Sequence, residues 1–443
     1  MIILKLSDPH LEQTLPVNLK TNTVLMLKIF FGIGFSLCLL KGLGQSPVKN
    51  YTLENFKQVS TNDPGNNDHS DLNAIGDAIG NANVVMLGEQ GHRDAPTFLA
   101  KTRLVKYLVE NKGFSVVAFE GEFFSLNAGW ADLKNNKDSI KQFLRNNIFH
   151  TWTQCRQCDP LFTYLSENIL ANKIQLTGFD NQHNGLYYQQ HYFSGQLKQF
   201  LDTSGIKLMQ EPAFKILTMA FVARNNSKNR QQRDSGWNFI ISTYDSLFIK
   251  AKEKYGETNF WVQELKSSKT EIEMGFAFAS GVGFKSEAIR DRQMADNLFW
   301  LIKNKYHGMK VIVWAANDHV AKKAVNNDIN NEFMFKPMGG IFSGYSSPDI
   351  ITYSVGFTSL KGTAGGFEEK RYTVPKYKTN SFESWVKEKN FDYGFIDFKN
   401  LTDRNEEFLL KGEMYHRYAN ADWANIFDGI FYVKEMYPCD ELQ

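Results

Sequence analysis

Four short apolar runs frame the chain, at residues 84–87, 115–119, 174–177 and 311–315, and each runs straight into polar or charged side chains. The first meets Gly88-Glu89-Gln90-Gly91-His92, and a helical pattern over 95–110 then leads to the second run, which ends at Glu120. A strand, a helix and a second buried strand of these lengths predict a right-handed βαβ unit. Helical periods follow at 123–133, 139–146 and 161–171, before the third run ends at Gly178-Phe179-Asp180. From 185 to 306 there is no strand pattern; helical periods dominate, with breaks near Gly205, Asn225 and Gly256. That stretch closes on residues 290–303, where Met294, Leu298, Leu301 and Ile302 share one helical face. The fourth run leads into Ala316-Asn317-Asp318-His319, and further strand patterns occur at 350–357, 393–398 and 429–433.

The pattern predicts an α/β protein with a mostly parallel central sheet flanked by helices. Residues 46–190 and 307–443 form its core, and a large helical insertion at 191–306 forms one side of a cleft. In open parallel sheets, reactive groups collect beyond the carboxyl ends of the strands. Glu89, His92, Glu120, Asp180 and His319 all fall at that kind of position.

With 443 residues, 42 % of them hydrophobic, the chain can bury a large core. Four Lys stand against Asp8 and Glu12 in the first 45 residues, which leaves 46 basic and 46 acidic residues in the rest. A neutral body without a basic stripe argues against a nucleic-acid partner. Met26-Leu27-Lys28 opens an apolar run of about 12 residues that ends at Lys41-Gly42-Leu43-Gly44-Gln45. The run is too brief to span a bilayer and reads as an export signal starting at Met26 and cleaved near Gly44 or Gln45, with an uncleaved anchor as the alternative. The expected product is periplasmic or secreted, with no membrane span after cleavage. Beyond the signal, Cys155-Arg-Gln-Cys158 reads as a structural disulfide, ahead of a redox pair or half a metal site, with Cys439 free or competing.

The residues at the strand ends have a coherent chemistry. A histidine with an ordinary pKa near 6.5 accepts a proton from water at neutral pH. A carboxylate beside it fixes its tautomer and favours the imidazolium. A second, partly buried carboxylate would have its pKa raised and remain protonated as an acid. Arg290, or Lys101 in the first helix, would offset negative charge on a tetrahedral intermediate. Together these describe a hydrolase that activates water without a covalent nucleophile. Each residue also has a structural reading. Glu89 could cap the next helix, although Asp94 and Pro96 already supply a start signal. Glu120 could pair with a core cation, His319 could pack its helix, and Asp180 could accept loop N–H groups. Four such positions at one sheet edge favour a single site. The sequence has no Gly-x-Ser-x-Gly elbow, His-Glu-x-x-His helix, Walker loop or Gly-x-Gly-x-x-Gly turn after a strand. A metal-dependent hydrolase using Glu89, His92 and His319 as ligands stays open.

In order along the chain stand Leu87-Gly88-Glu89-x-x-His92, Val117-Ala118-Phe119-Glu120, Gly178-Phe179-Asp180, Arg290-Asp291-x-x-Met294-Ala295-x-Asn297, Val313-Trp314-Ala315-x-Asn317-x-His319, and Phe427-Asp428 before a strand. This series, spanning about 83–432, resembles the erythromycin esterase family. The resemblance implies hydrolysis of a carboxylic ester, in some members a macrolactone, by water activated without a required metal or cofactor. It implies Glu89 and His92 as the central pair, with Glu120, Arg290 and His319 in support and a small-molecule ester as partner. Lys101, Asp180 and Asn317 are the expected substrate-binding residues. Two positions depart from the family pattern: Ala316 stands where a histidine is usual, and Lys101 replaces an arginine, which keeps charge but loses the bidentate fork. A small-molecule-binding protein with impaired catalysis is the reading those departures leave open.

Overall fold

The structure, a computed structural model, describes residues 46–133, 135–206, 230–325, 335–345, 347–366 and 369–442. The expected export signal and the break near Asn225 lie outside the described residues. The strands are β1 (Lys57–Val59), β2 (Val84–Leu87), β3 (Val116–Glu122), β4 (Gln175–Asp180), β5 (Val311–Trp314) and β6 (Thr352–Gly366). They continue with β7 (Glu369–Thr373), β8 (Tyr393–Asp397), β9 (Phe408–Glu413), β10 (Arg417–Ala421) and β11 (Gly429–Met436). Nine of them form one sheet in the order β1-β8-β11-β6-β2-β5-β3-β4, with β7 on β6, while β9 and β10 pair separately. From β11 to β4 every neighbouring pair is parallel. The β8 and β1 edge is antiparallel.

Strand alternation sends successive side chains to opposite faces. Val85, Leu87, Val117, Phe119, Ile312 and Trp314 join one core with Phe98, Leu104 and Leu108 of the helix Ala95–Lys112. Val84, Met86, Val116, Ala118, Val311 and Val313 join the other with Met294, Ala295 and Leu298 of the helix Gly283–Trp300. Both faces are covered, so the strands read as continuous apolar runs. The helix Ala95–Lys112 starts with Pro96 in its first turn and stops at Gly113, whose φ is +73°. Between β4 and β5 the described residues form helices only, and Arg230–Tyr255, Phe260–Ala279 and Gly283–Trp300 pack in sequence order. No helix of the described residues is long and apolar enough to cross a membrane.

One expectation is corrected. Cys155 is bonded to Cys439, 284 residues away, and Cys158 is a buried free thiol. The reason is the course of the chain end. Glu441 forms an antiparallel bridge with Cys155, and the Cys155 and Cys439 Cα atoms stand 5.3 Å apart, within disulfide reach. Cys158 closes a tight turn with its N–H on the Cys155 carbonyl at 3.0 Å.

Candidate active site

The four strand ends named from the sequence are neighbours, in the order β2-β5-β3-β4. After β2 the chain makes its closest approach at Gly88, where a Cβ would stand 2.2 Å from the Asn317 side-chain oxygen. Glu89 follows, fully buried on the face covered by the helix Ala95–Lys112. Its Oε1 is 2.9 Å from His92 Nδ1. Its Oε2 accepts from Lys101 Nζ at 2.7 Å, and the Trp152 indole N–H reaches the same carboxylate at 3.0 Å. Lys101 Nζ also donates to the Ala315 carbonyl at 3.1 Å and lies 4.1 Å from the centre of the Trp314 ring. The His92 ring stands edge-on to Trp152 with 5.9 Å between centres. Its side chain is 30 % exposed while that of Glu89 is 0 %. The pair thus has a buried anchor and an open end. Burial pushes the His92 imidazole down, but the hydrogen bond and charge of Glu89, aided by Glu120, outweigh it and leave the pKa raised.

The second group leaves the sheet on the opposite face. The β3–β4 register shifts between Phe119 and Glu122, a bulge that re-aims the side chains around Glu120. Glu120 Oε1 accepts from Arg290 Nη2 at 2.7 Å, and its Oε2 accepts from the Ala316 N–H at 3.0 Å. Arg290 grips Asp180 with two nitrogens, Nε at 3.2 Å and Nη2 at 2.6 Å. His319 Nδ1 is 2.7 Å from Asp291, and its Nε2 stands 3.0 Å from Arg290 Nη1 and 3.3 Å from Glu120. Burial disfavours the His319 imidazolium, but Asp291 and Glu120 outweigh both it and Arg290, so the pKa lies well above the usual value. Nε2 thus faces a guanidinium nitrogen and the Glu120 carboxylate at once. Burial would raise Glu120, but His319, Arg290 and His92 hold it well below the usual carboxylate range. Glu120 is therefore a carboxylate here, not the protonated acid the sequence argument asked of a second buried glutamate.

Lys101, Asp180 and Asn317 are fully buried. Lys101 lies behind Glu89, and Asp180 lies behind Arg290. Asn317 ties the loop after β2 to two strands: its N–H bonds the Glu89 carbonyl at 2.9 Å, and its side-chain amide bonds the Phe357 carbonyl of β6 and the Gly412 carbonyl of β9 at 2.9 and 2.8 Å. Sequence reasoning did not single out Trp152, which holds Glu89, or Asp291, which orients His319. Asp291 had a signal, since it follows Arg290 within one motif; Trp152 had none, lying between the helical patterns at 139–146 and 161–171.

The family model described as erythromycin esterase matches residues 109–436. The chain is 24 % identical to erythromycin esterase type II of Escherichia coli over 405 residues, covering 84 % of this chain and 94 % of that protein. It is 21 % identical over 414 residues to the putative hydrolase YbfO of Bacillus subtilis (strain 168), covering 85 % and 89 %. Among solved structures, a mutant of the erythromycin esterase EreC in its open conformation superposes with a TM-score of 0.63 at 16 % identity, covering 87 % of this chain and 98 % of that one. With a family model matched over most of its length and the same fold in that solved structure, the chain belongs to the erythromycin esterase family.

Proposed function

We propose that this chain hydrolyses a carboxylic ester, with His92 taking a proton from the attacking water. The observation that carries the proposal is the His92–Glu89 pair: the buried carboxylate holds Nδ1 at 2.9 Å, while the ring is exposed enough to offer Nε2 to the open edge. Held this way, Nδ1 carries the proton and Nε2 is the basic atom. Water adds to the ester carbonyl as Nε2 accepts its proton, and the imidazolium returns that proton to the departing alkoxide. The cationic pair Arg290 and His319 supports the negative charge that builds on the carbonyl oxygen. Lys101, Asp180 and Asn317 act from behind, holding Glu89, Arg290 and the strand-end loops rather than touching substrate.

The arrangement supports this reading over a metal-dependent one. Glu89 and His92 face each other, and His319 has both nitrogens directed at Asp291 and at Glu120 with Arg290. Among the described residues, no set of three His, Cys, Asp or Glu is arranged to hold a metal ion. The Cys155–Cys439 disulfide supports the exported location read from the sequence. The test is a turnover panel of macrolides, acyl sugars and simple esters with the wild type and His92→Asn. We expect hydrolysis of at least one ester class and a loss of about 10²-fold or more in the variant. Equal rates for the two proteins would remove His92 from the chemistry, and loss of activity on chelation would return the metal reading.

A further inference from the structure

We infer that His416 is a positioning residue for His92, acting through Asp94 on the loop that carries the imidazole. The inference rests on His92 being the working group of the site. Asp94 occupies the N-cap position of the helix Ala95–Lys112, yet its side chain bonds none of the helix amides. An aspartate there ordinarily caps. Its carboxylate instead faces His416 Nε2, at 3.3 Å from one oxygen and 3.2 Å from the other. The other ring nitrogen, Nδ1, is 2.8 Å from the Ser359 hydroxyl on β6. Ser359 and His416 are fully buried and Asp94 is 1 % exposed. This relay therefore meets no substrate.

The same C-terminal segment also holds the other side of the loop. The Tyr415 N–H donates to the Gln90 carbonyl at 2.8 Å, and the Gln90 side-chain amide donates to the Lys411 carbonyl. Gln90 and Asp94 lie two residues to either side of His92, so both flanks of the imidazole are fixed by residues 411–416. The backbone is strained where the two segments meet. Arg93, Tyr415 and His416 have φ of +102°, +61° and +55°, values that residues with a Cβ rarely adopt and that persist only when the surroundings enforce them. Strain on both sides of one buried contact points to a geometry held for the loop rather than for the helix.

The test follows the imidazole itself by NMR titration of His92 in His416→Gln, alongside kcat and KM on the best ester. Positioning predicts that His92 slips from Glu89. Its titration midpoint then falls toward the ordinary value near ~6.5, and kcat drops about tenfold with KM changed less than twofold. Ser359→Ala removes one hydroxyl and should shift the midpoint in the same direction by less, and it serves if His416→Gln does not fold. A His92 midpoint at the wild-type value in a folded variant overturns the inference. The titration needs no turnover, so a failure of the esterase reading would show separately, as no hydrolysis by a wild type whose His92 still responds to His416.

Discussion

Glu89 Oε1 stands 2.9 Å from His92 Nδ1, and of the two side chains only the imidazole reaches solvent. Three polar groups therefore meet at one carboxylate that water does not reach, His92, Lys101 and Trp152, while the Asn317 N–H holds the Glu89 main-chain carbonyl. A fully buried carboxylate is costly unless each oxygen is bonded, and here both are. What the arrangement secures is the tautomer and aim of His92.

Glu89→Gln tests this directly. The substitution keeps the shape but removes the charge that favours the imidazolium, and it gives His92 Nδ1 an ambiguous partner. We expect kcat to fall by about 10²-fold or more with little change in KM, because the lost interaction matters most as His92 becomes charged. Steady-state kinetics on the best ester of the panel measures it. Wild-type turnover in the variant would sink the paired-residue reading.

The pH dependence follows from the two histidines. As the proposed base His92 would act only when neutral, and its pKa is raised because Glu89 and Glu120 outweigh its burial. Activity should therefore climb through a midpoint above the ordinary ~6.5. His319 lies well above its usual value, since Asp291 and Glu120 outweigh burial, so its imidazolium is lost only at more alkaline pH. The expected profile of kcat/KM is a bell, whose limbs belong to the coupled set rather than to single residues. Glu120→Gln removes negative charge beside both rings and should move both limbs to lower pH. A profile whose acid limb stays in place in that variant would detach Glu120 from His92.

The apolar runs were enough to find the start of each of β2 to β5 within a residue, because strands buried on both faces leave an uninterrupted apolar signature. β3 and β4 run on past it, to Glu122 and Asp180, where the side chains turn polar. The runs said nothing about which strands are neighbours, and convergence of Glu89, His319, Glu120 and Asp180 depends on that order. β7, β9 and β10 were not legible: Glu-Lys-Arg-Tyr-Thr and Arg-Tyr-Ala-Asn-Ala are short and polar, and β9 owes its place to its partners. Trp152 lay between two predicted helices with nothing to mark it; only the fold shows its N–H on Glu89. The Cys155 partner was equally hidden, since proximity in sequence favoured Cys158 and the returning chain end supplied Cys439. The charge state of Glu120 turned on His319 and Arg290, both distant in sequence, and burial alone predicted the opposite.

Lys101 offers a test on stability. It is fully buried, and burial pushes its ammonium down while Glu89 pulls it back up. Lys101→Met preserves much of the volume but leaves Glu89 in a buried site without its cation. Breaking such a pair by removing one partner costs about 3–5 kcal/mol, which should appear as a lower urea midpoint with an unchanged slope. Lys101→Arg should not be neutral either, because the larger fork must fit between the Trp314 ring and the Ala315 carbonyl. If Lys101→Met matches the wild type in urea, the ion pair does not support the fold.

A last test concerns Glu122, two residues beyond Glu120 and outside the Glu89–His92 pair. Its Oε2 accepts from the Ser125 hydroxyl at 2.8 Å and the Gly185 N–H at 2.6 Å, while Oε1 is buried without a hydrogen-bond partner among the described residues. Burial is the main cause that raises its pKa to about 8, against the opposing pull of His183, Ser125 and Gly185. In the unfolded chain a glutamate ionises near ~4.3, so between about pH 4.3 and 8 the folded state holds a proton that the unfolded state has released. Stability must then fall as pH rises across that window and level off above it. Glu122→Gln cannot ionise and keeps an acceptor for Ser125 and Gly185. It should therefore lack this part of the slope: close to the wild type at pH 4, and more stable than the wild type at pH 8 by on the order of 4 kcal/mol. Urea unfolding of both proteins at several pH values gives the comparison. A stability difference that does not change with pH would mean that Glu122 is already ionised in the folded protein.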